Sequence, residues 1–110
     1  MPTNYKILGQ AAVATSATQV DLYTVPSATQ AVVSSIVVAN RDSAAATYRI
    51  SCAVDGASIA NAQYVAYDVT VGGSDSTVLT LGITLGDTDK IRVYASSTNL
   101  TFTAFGSEIS

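Results

Sequence analysis

Apolar and polar residues alternate with a period of two along almost the whole chain, and no stretch sustains the 3.6-residue period of a helix. Valine, threonine and tyrosine, which suit a pleated and half-buried surface, are concentrated in the alternating stretches. Residues typical of turns (glycine, proline, serine, asparagine and aspartate) separate these stretches from one another. The pattern predicts eight strands, at about 4–9, 18–25, 30–40, 46–54, 62–71, 76–81, 89–96 and 99–106.

Short strands at this spacing, with no helix to cross over, predict an all-β fold, either an antiparallel sandwich or a small barrel. We expect a single β-sandwich domain over residues 1–110, of jelly-roll or immunoglobulin-like type. Segment 10–17 is rich in small residues and is compatible with a loop or with a loose edge strand.

Alternation also assigns side chains to faces, because successive residues of a strand point to opposite sides of the sheet. Four strands are expected to bury one face and expose the other, as antiparallel sheets allow. The expected apolar faces are Tyr48, Ile50, Cys52 and Val54; Val65, Tyr67, Val69 and Val71; Ile91, Val93 and Ala95; and Leu100, Phe102 and Ala104.

The stretch LYTVPSATQAVVSSIVVANRD, residues 22–42, differs because its second strand is apolar on both faces. Pro26 has a fixed φ and no N–H, so it should end the first strand, and Asn40 should begin the next turn. We expect the two strands to form the central pair of the fold, with the second apolar face covered by another subunit. The two faces are Val33, Val37 and Ala39, and Val32, Ile36 and Val38.

Composition points away from several functions. Eight acidic and five scattered basic residues give a net charge of −3, so no basic stripe is available for nucleic-acid phosphates. Charged residues make up only 12%, about half the usual share, and 13 serines and 14 threonines supply the polar surface instead. Neither a signal peptide nor a membrane-spanning stretch is evident. Such a low-charge surface favours dense packing against other proteins.

Candidate catalytic groups are few. The chain has no histidine, so Ser-His-Asp and Cys-His arrangements are ruled out. Cys52, the only cysteine, is expected to be a small buried hydrophobe, and Lys6 and Lys90 are expected to be solvated. We expect no enzymatic activity, no cofactor and no metal site.

Two aspartates in the turn LGDTDK, Asp87 and Asp89, leave a second interpretation open, as does Asp75 in another turn. A Ca²⁺ ion needs six or more oxygen ligands, and two carboxylates fall short of that number. We expect solvated turns in which the aspartates accept local hydrogen bonds, while cation binding by Asp87 and Asp89 is left open.

Six tyrosines, two phenylalanines and no tryptophan are spread over the predicted strands. Tyrosine and arginine together on a polar face are typical of protein–protein contacts. A carbohydrate platform is the alternative, although such sites usually recruit tryptophan. The expected interface residues are Tyr64, Arg92, Tyr94, Phe105 and Arg41, the last also compatible with a solvated turn.

Several stretches together resemble a family of small virion proteins of tailed bacteriophages: NYKILGQ (4–10), LYTVPSATQAVVSSIVVANR (22–41) and LTFTAFGSEIS (100–110). ATYRISCAVDGASIANAQYVAYDVTV (46–71) and TLGITLGDTDKIRVYA (80–95) fit the same pattern. The most specific part, YTVP followed by VVSSIVVAN, also resembles β-rich modules attached to phage tail and fibre proteins.

The resemblance implies a structural protein present in many copies on a virion and made in the host cytoplasm. It implies a capsid decoration or cement protein, or a tail or baseplate component. Proteins of this kind commonly form trimers or other small homo-oligomers, so the implied partners are copies of the chain and a major capsid or tail protein. No nucleic acid and no membrane is expected as a partner. A receptor- or glycan-binding module of a phage tail is the alternative function.

Overall fold

The computed structural model describes residues 3–13 and 15–110, and within them the chain forms nine strands and two one-turn 3₁₀ helices. The strands are β1 (Thr3–Ala12), β2 (Thr18–Thr24), β3 (Gln30–Asn40), β4 (Ala46–Ala53), β5 (Tyr64–Val71), β6 (Ser76–Leu79), β7 (Ile83–Leu85), β8 (Lys90–Ala95) and β9 (Leu100–Ile109). The 3₁₀ helices are Val54–Gly56 and Asn61–Gln63. In the described part of the chain no helix is both long and apolar enough to cross a membrane.

The eight predicted strands are all present, and β7 is the one that the sequence did not predict. Segment 10–17 divides between the end of β1 and a turn, with Ala14 outside the described residues. The segment predicted from residue 62 forms a strand only from Tyr64, because Asn61–Gln63 closes a 3₁₀ turn first.

Two antiparallel sheets face each other. Sheet A has the order β1-β9-β3, with β6 and β7 sharing the far edge of β3, and sheet B has the order β2-β8-β4-β5. The chain crosses between the sheets at every connection except β4 to β5 and β6 to β7, which is the strand order of a jelly roll. The prediction of a β-sandwich is therefore confirmed. Of the two expected types, jelly roll and immunoglobulin-like, the strand order matches the jelly roll.

The expectation of a central strand pair in residues 22–42 is wrong, because the two strands belong to different sheets. β3 lies inside sheet A, whereas β2 is an edge of sheet B and, in the part of the chain that the structure describes, pairs with β8 alone. Pro26 does end the first strand and lies in the turn that carries the chain across the sandwich. Asn40 also acts as predicted, since its Oδ1 accepts a hydrogen bond from the N–H of Asp42 at 3.0 Å.

The inward faces of the two sheets form one hydrophobic core. The apolar faces expected for β8 and β9 are confirmed, because their members are all buried. Tyr48 and Phe102 are the largest fully buried side chains, and their rings meet edge to face with centroids 6.2 Å apart. Burial raises the pKa of Tyr48, which keeps its phenol protonated inside the core.

A β-bulge in β3 overturns the faces predicted for that strand. The pairing with β9 shifts register between Val33 and Ser35, so the side chains beyond this point change sides. Val33 and Ile36 therefore both point into the core, whereas Val37 lies on the outer face. The strand still presents apolar side chains outside, and within the described chain no second sheet covers them.

Irregularities at β4 and β5 have the same effect. Two register shifts in β5 turn Val65 and Tyr67 outward, so the predicted face containing both of them is wrong. Val54 is also wrongly placed, since β4 ends at Ala53 and Val54 is exposed in the following 3₁₀ turn. Cys52 lies on the Tyr48 face as expected, but it is only partly buried there.

Candidate functional site

The outer face of sheet B carries a cluster of aromatic and charged side chains, which we call the tyrosine–arginine face: Arg49, Tyr64, Tyr67, Asp68 and Tyr94. The Arg49 guanidinium lies between two rings, 4.1 Å from the Tyr67 centroid and 4.3 Å from the Tyr94 centroid. Both distances are within the range of cation–π attraction. The arrangement holds two tyrosine rings at fixed positions on the surface.

Asp68 completes the arrangement around Arg49. Its carboxylate oxygens accept hydrogen bonds from Arg49 at 2.6 and 3.2 Å, a bidentate pairing. This pairing lowers the pKa of Asp68 and raises that of Arg49, so both groups stay charged. Because the two charges satisfy each other, they position the rings rather than supply an acid or a base.

Tyr64, on the edge strand β5, extends this face toward β2, which is the opposite edge of sheet B. Its ring meets the Tyr67 ring edge to face, with centroids 4.9 Å apart. Its hydroxyl oxygen accepts a hydrogen bond of 3.2 Å from the Gln19 side chain, which comes from β2. Tyr64 and Tyr94, predicted separately from the sequence, are thus brought to the same surface, and Tyr67 between them is 55% exposed.

Arg92 is on the same sheet face, but its guanidinium is engaged within the chain. It donates hydrogen bonds to the carbonyl oxygens of Ala57 and Gly56, at 2.6 and 3.0 Å, and lies 3.4 Å from an oxygen of Asp21. Lys90 pairs with the second oxygen of Asp21 at 3.0 Å. Arg92 therefore fastens the loop 54–63 to the sheet, and Lys90 is ion-paired and partly covered rather than solvated.

Arg41 and Phe105 lie apart from this face. Arg41 is exposed in the turn after β3 and donates to the Thr98 carbonyl oxygen at 2.9 Å. Phe105 is 37% exposed on the outer face of sheet A. The five predicted interface residues thus occupy two sheet faces and one turn rather than one site.

Phe105 belongs to an uncovered cluster that we call the apolar patch: Tyr5, Ile7, Val32 and Phe105. Tyr5 is 85% exposed and Ile7 is 50% exposed. With Ser34 and Ser107 they line an open groove of about 600 Å³ on the outer face of sheet A. Exposed apolar clusters of this kind mark contact surfaces in soluble proteins.

The turn aspartates accept hydrogen bonds, but only those from Gly86 to Asp89 and from Ser76 to Asp75 are local, as the sequence predicted, whereas the others come from distant turns. Asp89 accepts from the N–H groups of Asp55 and Gly86 at 3.0 and 2.9 Å, and Asp87 accepts from the Ala28 N–H at 3.4 Å. Among residues 3–13 and 15–110, no group of three or more histidine, cysteine, aspartate or glutamate side chains is placed to hold a metal ion. Burial and the charge of Asp89 raise the pKa of the Cys52 thiol, which opposes its reactivity as a thiolate.

The interface residues expected from the sequence did not include Arg49, Tyr67 and Asp68 on sheet B, or Tyr5 and Ile7 on sheet A. Arg49 had a usable signal, because alternation along the strand already places its side chain on the other face from Tyr48 and Ile50. Tyr67 had none, since a bulge reverses its side. Tyr5 and Ile7 could have been identified only from the pairing of β1 with β9, which places Ile7 opposite Phe105.

Comparison with known proteins adds a likeness of fold. No protein-family model and no curated protein matches the chain. A chain from the structure of infectious bursal disease virus, Gx strain, superposes with a TM-score of 0.55 at 11% sequence identity. The match covers 97% of this chain but only 31% of that one, so this chain spans about a third of the viral chain's length. At this identity the likeness establishes the β-sandwich fold, and the chain is similar in fold to part of a viral protein.

Proposed function

We propose that this chain is a non-enzymatic structural protein of a tailed-bacteriophage virion, where it assembles on the particle and stabilises it. The observation that carries the proposal is the apolar patch on a jelly roll, because its exposed aromatic and aliphatic side chains fit contact with protein. A specific contact of this kind needs about 800 Å² from each partner. The partners are copies of the chain and a neighbouring capsid or tail protein.

Two further observations support this role. The likeness of fold to a chain from infectious bursal disease virus agrees with a viral protein in general. The resemblance of stretches such as residues 22–41 to small virion proteins supplies the assignment to tailed phages. Capsid decoration or cement and a tail-associated position are two forms of the same proposal.

The experiment is to locate the chain on intact phage particles by cryo-electron microscopy, with a labelled antibody as a second readout. We expect regularly spaced copies on the capsid or the tail. Phe105→Ser, in the apolar patch, should lower the occupancy at least tenfold, whereas Thr101→Ser at the far end of the same strand should leave it unchanged. Particles that lack the chain, or full occupancy with Phe105→Ser, would overturn the role proposed for the patch.

The alternative, a receptor- or glycan-binding module of a phage tail, is favoured by the tyrosine–arginine face. Arg49 positions the rings of Tyr67 and Tyr94, and the exposed Tyr67 could pack against the apolar face of a sugar. Glycan-array binding that Tyr64→Ala or Tyr94→Ala abolishes would favour this alternative, provided that Phe105→Ser leaves the binding intact. The absence of any glycan signal would leave the structural role as the explanation.

A further inference from the structure

Open edges of β-sheets are sites where another strand can add. Within residues 3–13 and 15–110 the two sheets have four edges, and three of them are short or irregular. The far edge of sheet A is divided between β6, with four residues, and β7, with three. In sheet B, β5 contains two register shifts, and Asp68 within it has a positive φ of 51°. The remaining edge of sheet B, β2, is interrupted by a register shift between Asp21 and Tyr23.

The fourth edge, β1, is open over its first half. Thr3–Ile7 pairs with β9 in regular register, and all five residues are exposed. At Gly9 the strand packs closely against β2, since a side-chain carbon there would lie 2.1 Å from the Leu22 carbonyl oxygen. In an antiparallel pair only every second residue bonds to its neighbour, so the alternate N–H and C=O groups of Thr3–Ile7 point away from the sheet.

These outward groups have no other partner in the described chain. Apart from the ladder with β9, no backbone hydrogen bond joins residues 3–7 to another residue of 3–13 or 15–110. An unpaired row of this length is a template for one more antiparallel strand. The question is which strand fits it.

The strand is complementary to itself when two copies meet about a two-fold axis at Tyr5. Tyr5 then lies opposite its own counterpart, Thr3 opposite Ile7, and Asn4 opposite Lys6. No like charges face each other, and the charge of Lys6 is already balanced by Glu108 at 2.7 Å within its own chain. Aromatic and aliphatic cross-strand pairs such as these stabilise antiparallel sheets.

The registers next to the one centred on Tyr5 are less favourable for pairing between two copies. An axis at Lys6 places two lysines directly opposite each other, which is destabilising. An axis between Tyr5 and Lys6 joins the outer face of one sheet to the inner face of the other, because a one-residue slip reverses every side chain. An axis at Asn4 leaves only three pairs within Thr3–Tyr5. The register centred on Tyr5 is therefore the favoured one.

We propose that β1 is a homodimerisation edge, at which Thr3–Ile7 of one copy pairs antiparallel with Thr3–Ile7 of a second copy about an axis at Tyr5. The two copies of sheet A then form one continuous sheet, and their apolar patches lie side by side on its outer face. This inference deepens the self-association in the proposed function by naming its surface. It would also explain why Tyr5 and Ile7 are apolar and yet exposed in one copy.

Disulfide trapping tests the contact and its register. In a Cys52→Ala chain, Tyr5→Cys places two cysteines opposite each other with Cα atoms about 4.5–5.5 Å apart, within the range that a disulfide spans. We expect mild oxidation to convert most of this variant to a covalent dimer. Val78→Cys, 61% exposed on β6 at the opposite edge, is the matched control and should form no covalent dimer under the same conditions.

The register is tested by two further variants in the same background. Thr3→Cys and Ile7→Cys should cross-link when mixed, because these positions lie opposite each other. Thr3→Cys alone should not cross-link, because its two copies would be about 13 Å apart along the strands. Cross-linking of Thr3→Cys alone as readily as Tyr5→Cys would overturn the register.

The non-covalent dimer is measured by size-exclusion chromatography with light scattering. The unmodified chain should have about twice the mass of the 11.3 kDa protomer, and Tyr5→Lys should be monomeric with an unchanged circular dichroism spectrum. A monomeric unmodified chain, or a dimer that survives Tyr5→Lys, would overturn the proposal. Failure of the two proposals can be told apart: a monomer found on particles contradicts only edge pairing, whereas Tyr5-linked dimers absent from particles contradict only the virion role.

Discussion

The hydroxyl of Tyr23 donates a hydrogen bond of 2.5 Å to Glu108 Oε2, which joins the two sheets through residues 85 positions apart in the sequence. Tyr23 comes from β2 in sheet B, and Glu108 comes from β9 in sheet A. The other carboxylate oxygen of Glu108 is 2.7 Å from Lys6 Nζ on β1. These contacts hold a nearly buried carboxylate in its ionised form at the same end of sheet A as the open edge.

Replacing Glu108 should therefore destabilise the fold. Glu108→Gln loses the ion pair with Lys6 and weakens the bond from Tyr23, and we expect a loss of about 1.5–3 kcal/mol, the usual range for hydrogen bonds to charged groups. Asp87→Asn is the control, because its carboxylate accepts a long, exposed hydrogen bond of 3.4 Å from the Ala28 N–H. Urea denaturation at pH 7 measures both variants, and equal stabilities for the two would contradict the role assigned to Glu108.

The same residue should make stability depend on pH. The hydrogen bond from Lys6, and then that from Tyr23, lower the pKa of Glu108 below its ordinary value of 4.5. The unfolded chain therefore takes up this proton at a higher pH than the folded chain, so the stabilisation is complete above about pH 5–6 and is lost as the pH falls through 4.5 and below.

Comparison of the unmodified chain with Glu108→Gln at several pH values isolates this contribution. The difference in unfolding free energy should be largest near pH 7 and should shrink as the pH falls below 4.5, because the Glu108 carboxylate is then progressively protonated. A difference that stays constant from pH 7 to pH 3 would show that Glu108 acts through packing rather than charge.

The fold class and most strand positions could be predicted from the sequence because period-two alternation is a local property. β3 was predicted to the residue, since turn residues bound it on both sides. β7 was missed because three residues are too few to show a period. The faces of β3 and β5 were wrong because a bulge inserts a single residue, and nothing in the local pattern of Ser34 or Val65 marks that insertion.

The surfaces were predicted only in part, for a related reason. Tyr64 and Tyr94 could be placed on the polar side of their strands from alternation alone. Alternation also places Arg49 on the polar side of β4, but its contact with Tyr94 could not be predicted, because it depends on the pairing of β4 with β8. Contacts such as Tyr23 with Glu108 depend on how the two sheets face each other, which no stretch of a few residues encodes.

Gly106 should be intolerant of any side chain. A Cβ there would lie 2.0 Å from the Val32 carbonyl oxygen and 3.0 Å from the Leu8 side chain, so β9 would have to move away from β3. We expect Gly106→Ala to cost about 1–3 kcal/mol, as overpacking does in well-packed structure. Gly72→Ala is the matched control, because its Cβ would meet only Asp75 atoms at 3.7 Å or more and should change stability by less than about 0.5 kcal/mol.

Thermal unfolding of the two glycine variants checks this prediction, with the free energies taken from denaturant titrations. Equal stability of Gly106→Ala and the unmodified chain would mean that the close approach of β9 to Val32 is not maintained in solution.

Arg92→Lys should loosen the loop 54–63 while it keeps the positive charge. Lysine retains an attraction to Asp21, but it cannot reproduce the two hydrogen bonds that the planar guanidinium donates to the Gly56 and Ala57 carbonyl oxygens. Limited proteolysis with an elastase, which cleaves after small apolar residues, should cut within residues 54–63 several-fold faster in this variant. Arg41→Lys, which loses a single bond to the Thr98 carbonyl, should leave cleavage of that loop unchanged. If Arg92→Lys weakens attachment to particles without faster cleavage, Arg92 contacts a partner directly; if both change together, it acts by holding the loop in place.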